Sequence, residues 1–130
     1  MSDFKGFLDG PRREAASAYV RGDASKVVAL SATKGMATFF DPAGHVTKGA
    51  AAVDEANERG ATQFGANGKT ELEVLDSGAA GDLAFWTGYQ VADVELAGKI
   101  QHMKLRITEV FRREDGAWKL VHRHASKAAD

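Results

Sequence analysis

The strongest constraint in this 130-residue chain is a change in hydrophobic period near its middle. From Lys69 onward, apolar and polar residues alternate, which is typical of strands with one face in a core. The alternation is divided by glycine-bearing turns into four stretches, Lys69–Asp76, Asp82–Leu96, Lys99–Arg113 and Ala117–Ser126. Consecutive strands joined by short turns predict an antiparallel meander.

Helical patterns precede this meander. Apolar residues recur at helical spacing in three stretches, Pro11–Val20, Asp23–Ala32 and Ala50–Gly60. Pro11 is expected in the first turn of its helix, and residues 36–49 between the second and third helices predict a hairpin. Helices followed by antiparallel strands predict an α+β fold, with three N-terminal helices covering one face of a curved, mostly antiparallel sheet.

Composition narrows the class of protein further. The length predicts one domain over residues 1–130, and the formal net charge of −1 favours neither nucleic acid nor a membrane surface as a partner. There is no cysteine, which excludes disulfides and thiolate chemistry. The sequence shows no signal peptide or membrane-spanning run, so a cytoplasmic location is expected.

The turn at Ala97 and Gly98 allows the first long hairpin to be paired by arithmetic. A two-residue turn makes the residue numbers of each pair sum to 195, which places Trp86 opposite Glu109 and Gln90 opposite Leu105 on the inward face. The reverse face mixes apolar and charged residues, Phe85, Tyr89, Val91, Lys104, Arg106 and Val110. Such a mixture predicts a homodimer interface on the outer face of the sheet.

The register of the last hairpin depends on the length of its turn at Asp115 and Gly116. A two-residue turn places Glu109 opposite His122 and keeps Leu120 against Phe111. A three-residue turn with a bulge would shift the register by one. We favour the first register because it keeps Leu120 on the inner face.

In that register Glu109 and His122 form a candidate general acid/base pair, because a carboxylate beside an imidazole in a recess can exchange protons near neutral pH. The alternative is structural: the two side chains satisfy one another inside a core. His122 and His124 share a strand face, but this pattern is too loose to predict a metal site, and no cofactor is expected. The candidate substrate-binding residues are Tyr19, Phe40, Phe64, Trp86, Gln90, Met103 and His124.

The order of several short motifs resembles the SnoaL-like, ketosteroid-isomerase-like branch of the nuclear transport factor 2-like (NTF2-like) superfamily. These motifs are Gly22-Asp23, the segment Pro42–Gly49, "GDLAFWTG" (Gly81–Gly88) and the closing "RREDGAWKLVHRHAS". The last also resembles the association domain of calcium/calmodulin-dependent protein kinase II. The resemblance implies a cone-shaped fold in which a strongly curved sheet wraps around helices and a deep pocket, and it implies dimerisation through the sheet.

The resemblance implies a range of functions, from isomerases, polyketide cyclases and dehydratases to domains that only bind or assemble. Our leading hypothesis is a cofactor-independent isomerase, cyclase or dehydratase that binds a small apolar, polyketide- or steroid-like molecule. Glu109 would be its base, His122 its proton shuttle, and Gln90 or Tyr19 would stabilise the oxyanion. The alternative is a non-catalytic ligand-binding or oligomerisation module.

Overall fold

The computed structural model describes residues 3–129 and begins with a helical stretch that runs from Asp3 to Tyr19. It comprises α1 (Asp3–Phe7), a π-helical turn (Leu8–Arg12) and α2 (Arg13–Tyr19). The expectation that Pro11 opens the first helix is wrong, because Pro11 lies inside the π-helical turn. Proline lacks the N–H for a regular helical ladder, and a π turn accommodates that gap.

Two further helices follow, α3 (Ser25–Leu30) and α4 (Ala50–Ala61). Arg13 on α2 donates from Nη1 to the carbonyl oxygen of Leu72 at 2.6 Å, which anchors the helical layer to the sheet. No helix within residues 3–129 is long and apolar enough to cross a membrane.

The sheet has six strands, β1 (Thr38–Phe40), β2 (Val46–Lys48), β3 (Lys69–Ala80), β4 (Leu83–Leu96), β5 (Lys99–Glu114) and β6 (Ala117–Lys127). Their order is β2-β1-β6-β5-β4-β3, and every neighbouring pair is antiparallel except β1 with β6. The sheet is curved and unclosed, with helices before the long strands. The predicted α+β class is confirmed.

The β4–β5 hairpin has the predicted register throughout. Its turn residues Ala97 and Gly98 have φ angles of 52° and 79°, as a two-residue hairpin turn requires. Trp86 lies opposite Glu109, and every pair from Leu96↔Lys99 to Leu83↔Arg112 obeys the same rule. The inward face is therefore the one that the sequence predicts.

The β5–β6 hairpin begins in the predicted register and then leaves it. Phe111 faces Leu120, but the next pair is Val110 with His122, so Val121 is an extra residue on β6. Beyond this bulge Glu109 faces Arg123, and the predicted pairing of Glu109 with His122 is wrong. The bulge allows the consecutive residues Leu120 and Val121 to pack into two separate apolar clusters, which strict alternation would forbid.

The main core lies between the N-terminal helical stretch and the inner face of the sheet. Phe4 packs its ring 5.2 Å from Phe111 and 5.5 Å from Trp118, measured between ring centroids. Trp86 and Phe111 are fully buried. Burial of each such side chain contributes roughly 1.5–3 kcal/mol, so these aromatic contacts hold the helices over the strands that carry the site.

Candidate functional site

A cavity of about 720 Å³ lies between the helices and the inner face of the sheet. Its volume falls within the range of roughly 300–1,000 Å³ that is usual for small-molecule sites. Much of its wall is apolar and includes Phe39, Val53, Ala56, Phe64, Met103 and Leu120. Among the polar residues that line it, Arg12, Gln90 and Arg123 are linked to one another through hydrogen bonds, and we call these three the floor.

The floor is built on Glu109, a carboxylate with no exposed surface. Arg12 binds it through two hydrogen bonds, Nε to Oε1 and Nη2 to Oε2, each 2.9 Å long. The Nε1 of Trp86 donates to Oε1 at 2.8 Å. The Nη1 of Arg123 donates to Oε2 at 2.7 Å. Both oxygens of Glu109 therefore already accept two hydrogen bonds each.

A second group of hydrogen bonds fixes the orientation of Arg123. Its Nη2 donates to Oε1 of Gln90 at 2.7 Å. The Nε2 of Gln90 donates in turn to the hydroxyl of Thr70 at 3.1 Å, and this hydroxyl donates to the Val91 carbonyl oxygen at 3.1 Å. The floor is thus tied to the β3–β4 hairpin, and its side chains are held before any ligand arrives.

The charges of the floor keep Glu109 ionised. Burial alone would raise the pKa of its carboxyl, but the charges and hydrogen bonds of Arg12 and Arg123 outweigh burial and lower the pKa from 4.5 to about 2. A carboxylate with so low a pKa and with all its acceptor positions occupied is poorly suited to take a proton from a substrate. Its geometry is that of a structural counter-ion for the two guanidinium groups.

Arg12 keeps one nitrogen that Glu109 does not use. Its Nη1 is buried and has no hydrogen-bond partner within residues 3–129. The whole residue is only 3% exposed, so bulk water does not reach this nitrogen. Arg12 occupies this position because Phe4, Leu8 and Arg12 recur every four residues along the helical stretch and face the sheet. The two guanidinium groups face one carboxylate, so the floor has an excess of one positive charge.

Tyr19 on α2 lines the cavity beside this floor. Its ring meets Phe64 edge to face at 5.9 Å, and its hydroxyl lies so close to Gly60 that a Cβ there would collide with it. Burial raises the pKa of the Tyr19 hydroxyl, although the positive charge of Arg123 acts in the opposite direction. The hydroxyl has no hydrogen-bond partner among the described residues, which leaves it available to a ligand.

The structure separates the predicted substrate-binding residues and His122 into three groups. Tyr19, Phe64, Gln90 and Met103 line the cavity, so their role in ligand binding stays a prediction that the geometry permits. Trp86 lies behind the floor and contacts Glu109 instead. The other predicted residues, Phe40, His122 and His124, lie on the opposite face of the sheet.

These three outward residues form a small aromatic cluster. Phe40 packs its ring 4.8 Å from His122 and 5.4 Å from His124, and the hydroxyl of Thr38 lies 2.7 Å from Nδ1 of His122. Partial burial and the neighbouring His124 lower the pKa of His122. The expected inward placement of His122 is wrong, because the Val121 bulge turns it and His124 outward, and Phe40 on β1 does not line the cavity either. Their roles in proton transfer and substrate binding stay predictions that this cavity does not support. No group of three potential metal ligands occurs within residues 3–129.

Sequence reasoning missed the two arginines that dominate the floor. The helical pattern over Pro11–Val20 gives Arg12 no special role, and the predicted register, with His122 inward, places Arg123 on the outer face by alternation. A signal for Arg12 exists in its spacing from Phe4 and Leu8. A signal for Arg123 exists in the consecutive apolar residues Leu120 and Val121, which break the alternation of β6.

The sequence of residues 13–130 matches the SnoaL-like domain family. The chain belongs to the SnoaL-like family. No curated protein matches the sequence.

Solved structures of NTF2-like proteins resemble this SnoaL-like chain over nearly its whole length. An NTF2-like superfamily protein from Salmonella enterica serovar Typhimurium has a TM-score of 0.79 at 17% identity, covering 97% of this chain and 91% of that one. A proposed dehydratase of the NTF2-like family from Streptomyces avermitilis has a TM-score of 0.76 at 22% identity, covering 97% and 94%. The CaMKII hub of S. rosetta has a TM-score of 0.71 at 25% identity, covering 95% of each chain.

The family and these neighbours confirm the predicted fold, the cone of the NTF2-like superfamily. Proteins of this fold include both a proposed dehydratase and a hub domain. The function of the SnoaL-like chain must therefore be argued from its own cavity and surfaces.

Proposed function

We propose that this SnoaL-like protein binds a small, largely apolar molecule in the cavity beneath its helices. The supporting observation is the cavity itself, because an apolar wall ends on a polar floor whose side chains are already oriented. Apolar walls supply affinity through burial, and a few fixed polar groups select the orientation of the ligand.

The geometry favours binding over proton transfer by Glu109. An isomerisation, cyclisation or dehydration would need a base that can reach the ligand, whereas Glu109 is enclosed by Arg12, Arg123 and Trp86. In a catalytic version of this proposal, Arg12 would stabilise negative charge on a substrate oxygen, and Tyr19 would donate a hydrogen bond. Glu109 would then position Arg12 without touching the substrate.

Filling the cavity tests the binding function. Ala56 on α4 lines the cavity, so Ala56→Trp places an indole where the ligand would lie. A thermal-shift screen with ring ketones, enones and fatty acids should raise the melting temperature of the wild type, and Ala56→Trp should remove that shift.

Ala51 lies on the same helix but faces solvent, so Ala51→Trp is the matched control and should retain the ligand-induced shift. A screen in which no compound stabilises the wild type, or in which Ala56→Trp retains the full shift, would refute the proposal.

A second candidate function is self-association through the outer face of β4 and β5. Phe85 is 37% exposed there, and the ammonium group of Lys104 lies 4.4 Å from the ring centroid of Tyr89. The structural neighbours include the S. rosetta CaMKII hub, which supports an assembling module. The mixture of exposed apolar and charged side chains suits a second copy of this chain.

Light scattering coupled to size-exclusion chromatography tests this candidate. The wild type should elute as a dimer and Phe85→Glu as a monomer, because the new charge would be desolvated in the interface. The control is Met36→Glu, an exposed apolar residue outside the sheet. A wild type that stays monomeric at high protein concentration would exclude the homodimer.

A further inference from the structure

The floor of the cavity has an unbalanced positive charge and an unused donor. Arg12 and Arg123 share the single carboxylate of Glu109, and Nη1 of Arg12 has no partner within residues 3–129. Burying a charged donor without a partner is costly, so such a group in a native fold requires an explanation. The Arg12 side chain forms part of the cavity wall, although Nη1 itself has almost no surface open to the empty cavity, so a bound group becomes its partner with a small shift of the floor.

The chemistry of that partner follows from the donors around it. Guanidinium N–H groups donate only, so the partner must supply an acceptor, and the excess positive charge favours an anionic one. The hydroxyl of Tyr19 and the remaining N–H groups of Arg123 line the same space. A carboxylate that does line the cavity, Asp41, accepts hydrogen bonds from the backbone N–H groups of Ala43 and His45 in the β1–β2 turn and makes no ion pair with Arg12 or Arg123.

We propose that the floor is a carboxylate-binding subsite, and that the molecule held in the cavity is an apolar carboxylic acid. This inference rests on the proposed binding function and adds the class of ligand. One carboxylate oxygen accepts from Nη1 of Arg12, and Arg123 with Tyr19 provides further donors. The apolar part of the acid lies against the wall formed by Phe39, Val53 and Phe64.

Octanoate and 1-octanol test the subsite, because they share an alkyl chain and differ in charge. Isothermal titration calorimetry should show octanoate binding roughly tenfold to a hundredfold more tightly than 1-octanol, as expected for a charge-assisted hydrogen bond in a site shielded from water. Ala56→Trp should weaken the binding of both compounds, and Ala51→Trp should not.

The outcomes separate the two proposals. Equal affinity for the two compounds, with both displaced by Ala56→Trp, would overturn the carboxylate subsite and leave the binding function standing; water alone would then satisfy Arg12. Absence of binding by either compound would overturn the subsite and would count against the binding function.

A titration of carboxyl-labelled octanoate by ¹³C NMR locates the bound group without any mutation. Against two guanidinium groups the bound carboxyl should titrate at a lower pH than the free acid does. A bound carboxyl that titrates at the same or a higher pH would place the head group away from Arg12 and overturn the inference.

Arg12→Lys provides a variant test, because lysine keeps a positive charge for Glu109 but has a single nitrogen and no counterpart of Nη1. The preference for octanoate over 1-octanol should fall. Arg13→Lys is the matched control, since Arg13 donates to Leu72 away from the floor and should retain the full preference. A retained preference in Arg12→Lys would exclude Nη1 as the donor.

Discussion

Two long hairpins of the sheet, β4–β5 and β5–β6, start from the same kind of turn and end with different registers. Ala97-Gly98 and Asp115-Gly116 have almost the same φ angles, 52° and 79° in the first turn and 52° and 82° in the second. The β4–β5 hairpin stays in one register along its length, whereas the β5–β6 hairpin shifts by one residue between Phe111 and Val110. Turn chemistry fixes the first pairs of a hairpin, and packing further along decides whether they continue.

The shift determines which side chain reaches Glu109. Because side chains alternate between the two faces of a strand, one extra residue exchanges His122 for Arg123 at the inner face. The Glu109–His122 pair that the sequence predicts is thereby replaced, in the structure, by Glu109 between the guanidinium groups of Arg12 and Arg123. A single bulge changes the chemistry of the cavity without changing the residues of the strand.

Deleting Val121 and His122 together should have the largest effect on this comparison, because an unshifted β5–β6 hairpin would then pair Arg123 with Val110 and His124 with Glu109. Arg123 would turn outward, and Glu109 would lose a hydrogen bond of 2.7 Å. We expect a loss of more than about 4 kcal/mol in the free energy of unfolding, measured by urea denaturation.

Val121→Ala keeps the bulge and serves as the control, with an expected loss of about 1–2 kcal/mol from reduced packing. A deletion no more destabilising than this substitution would show that the register, and with it the pairing of Arg123, contributes little.

Replacing Glu109 tests the ion cluster that the shift creates. Glu109→Gln leaves Arg12 and Arg123 without their buried counter-ion, so we expect a loss of about 3–5 kcal/mol in the free energy of unfolding. Glu73→Gln on the exposed side of β3 should change it by less than about 0.5 kcal/mol. Equal stability of the two variants would contradict a structural role for Glu109.

The two faces of the shifted strand pair should respond to acid in separate pH windows. Glu109 has a lowered pKa, so its stabilising contribution is complete above pH 4.5 and is lost as the pH falls towards about 2. His122 also has a lowered pKa, because its burial favours the neutral ring, so its contribution is lost as the pH falls below 6.5.

Denaturation curves collected from pH 8 to pH 2 measure both contributions. His122→Gln should remove the dependence near pH 6 and retain the loss of a few kcal/mol below pH 4.5 that Glu109 causes. A wild type whose stability is constant from pH 4.5 to pH 3 would contradict the ion cluster.

Each of the two hairpins contains a tryptophan that donates to a carboxylate, and the two bonds should differ in strength. Trp86 donates to the buried Glu109, whereas Trp118 donates at 3.1 Å to Asp3, whose side chain is 63% exposed. Both indole rings are buried, so both substitutions lose packing, but Trp86→Phe should cost about 1–2 kcal/mol more in stability than Trp118→Phe, because only Trp86 donates to a buried carboxylate. The reverse order would place the stronger polar contact at the protein surface.

The smallest effect is expected in the turns themselves. Ala97 has a positive φ, a conformation that glycine adopts without steric strain and that aspartate tolerates better than alanine. Ala97→Gly should stabilise the protein by up to about 1 kcal/mol, and Asp115→Gly should have a smaller effect. A larger gain at Asp115 would show that the two turns differ in strain despite their similar angles.

Local rules account for the elements that the sequence could predict. The order of helices and strands follows from hydrophobic period, and the β4–β5 pairing follows from a two-residue turn and an uninterrupted alternation. Residues such as Trp86 and Gln90 were placed on the correct face because nothing between them and Ala97 disturbs that alternation.

The floor of the cavity depends on tertiary contacts that no local rule contains. Arg12 meets Glu109 across 97 positions of sequence, and a charged residue in a helix is ordinarily expected to face water. The bulge at Val121 lets Leu120 and Val121 pack into two apolar clusters in different parts of the fold. Predicting either feature requires knowing which surfaces meet after folding.

The position of Arg123 on β6 has a consequence for biosynthesis. Glu109 and Arg12 leave the ribosome before Arg123 does. Until β6 pairs with β5, the cavity lacks one wall and its floor lacks one of its two arginines. During this interval Glu109 can pair with Arg12 and Trp86 but not with Arg123. The cavity of this SnoaL-like chain is therefore complete only after β6 has been made and has paired with β5.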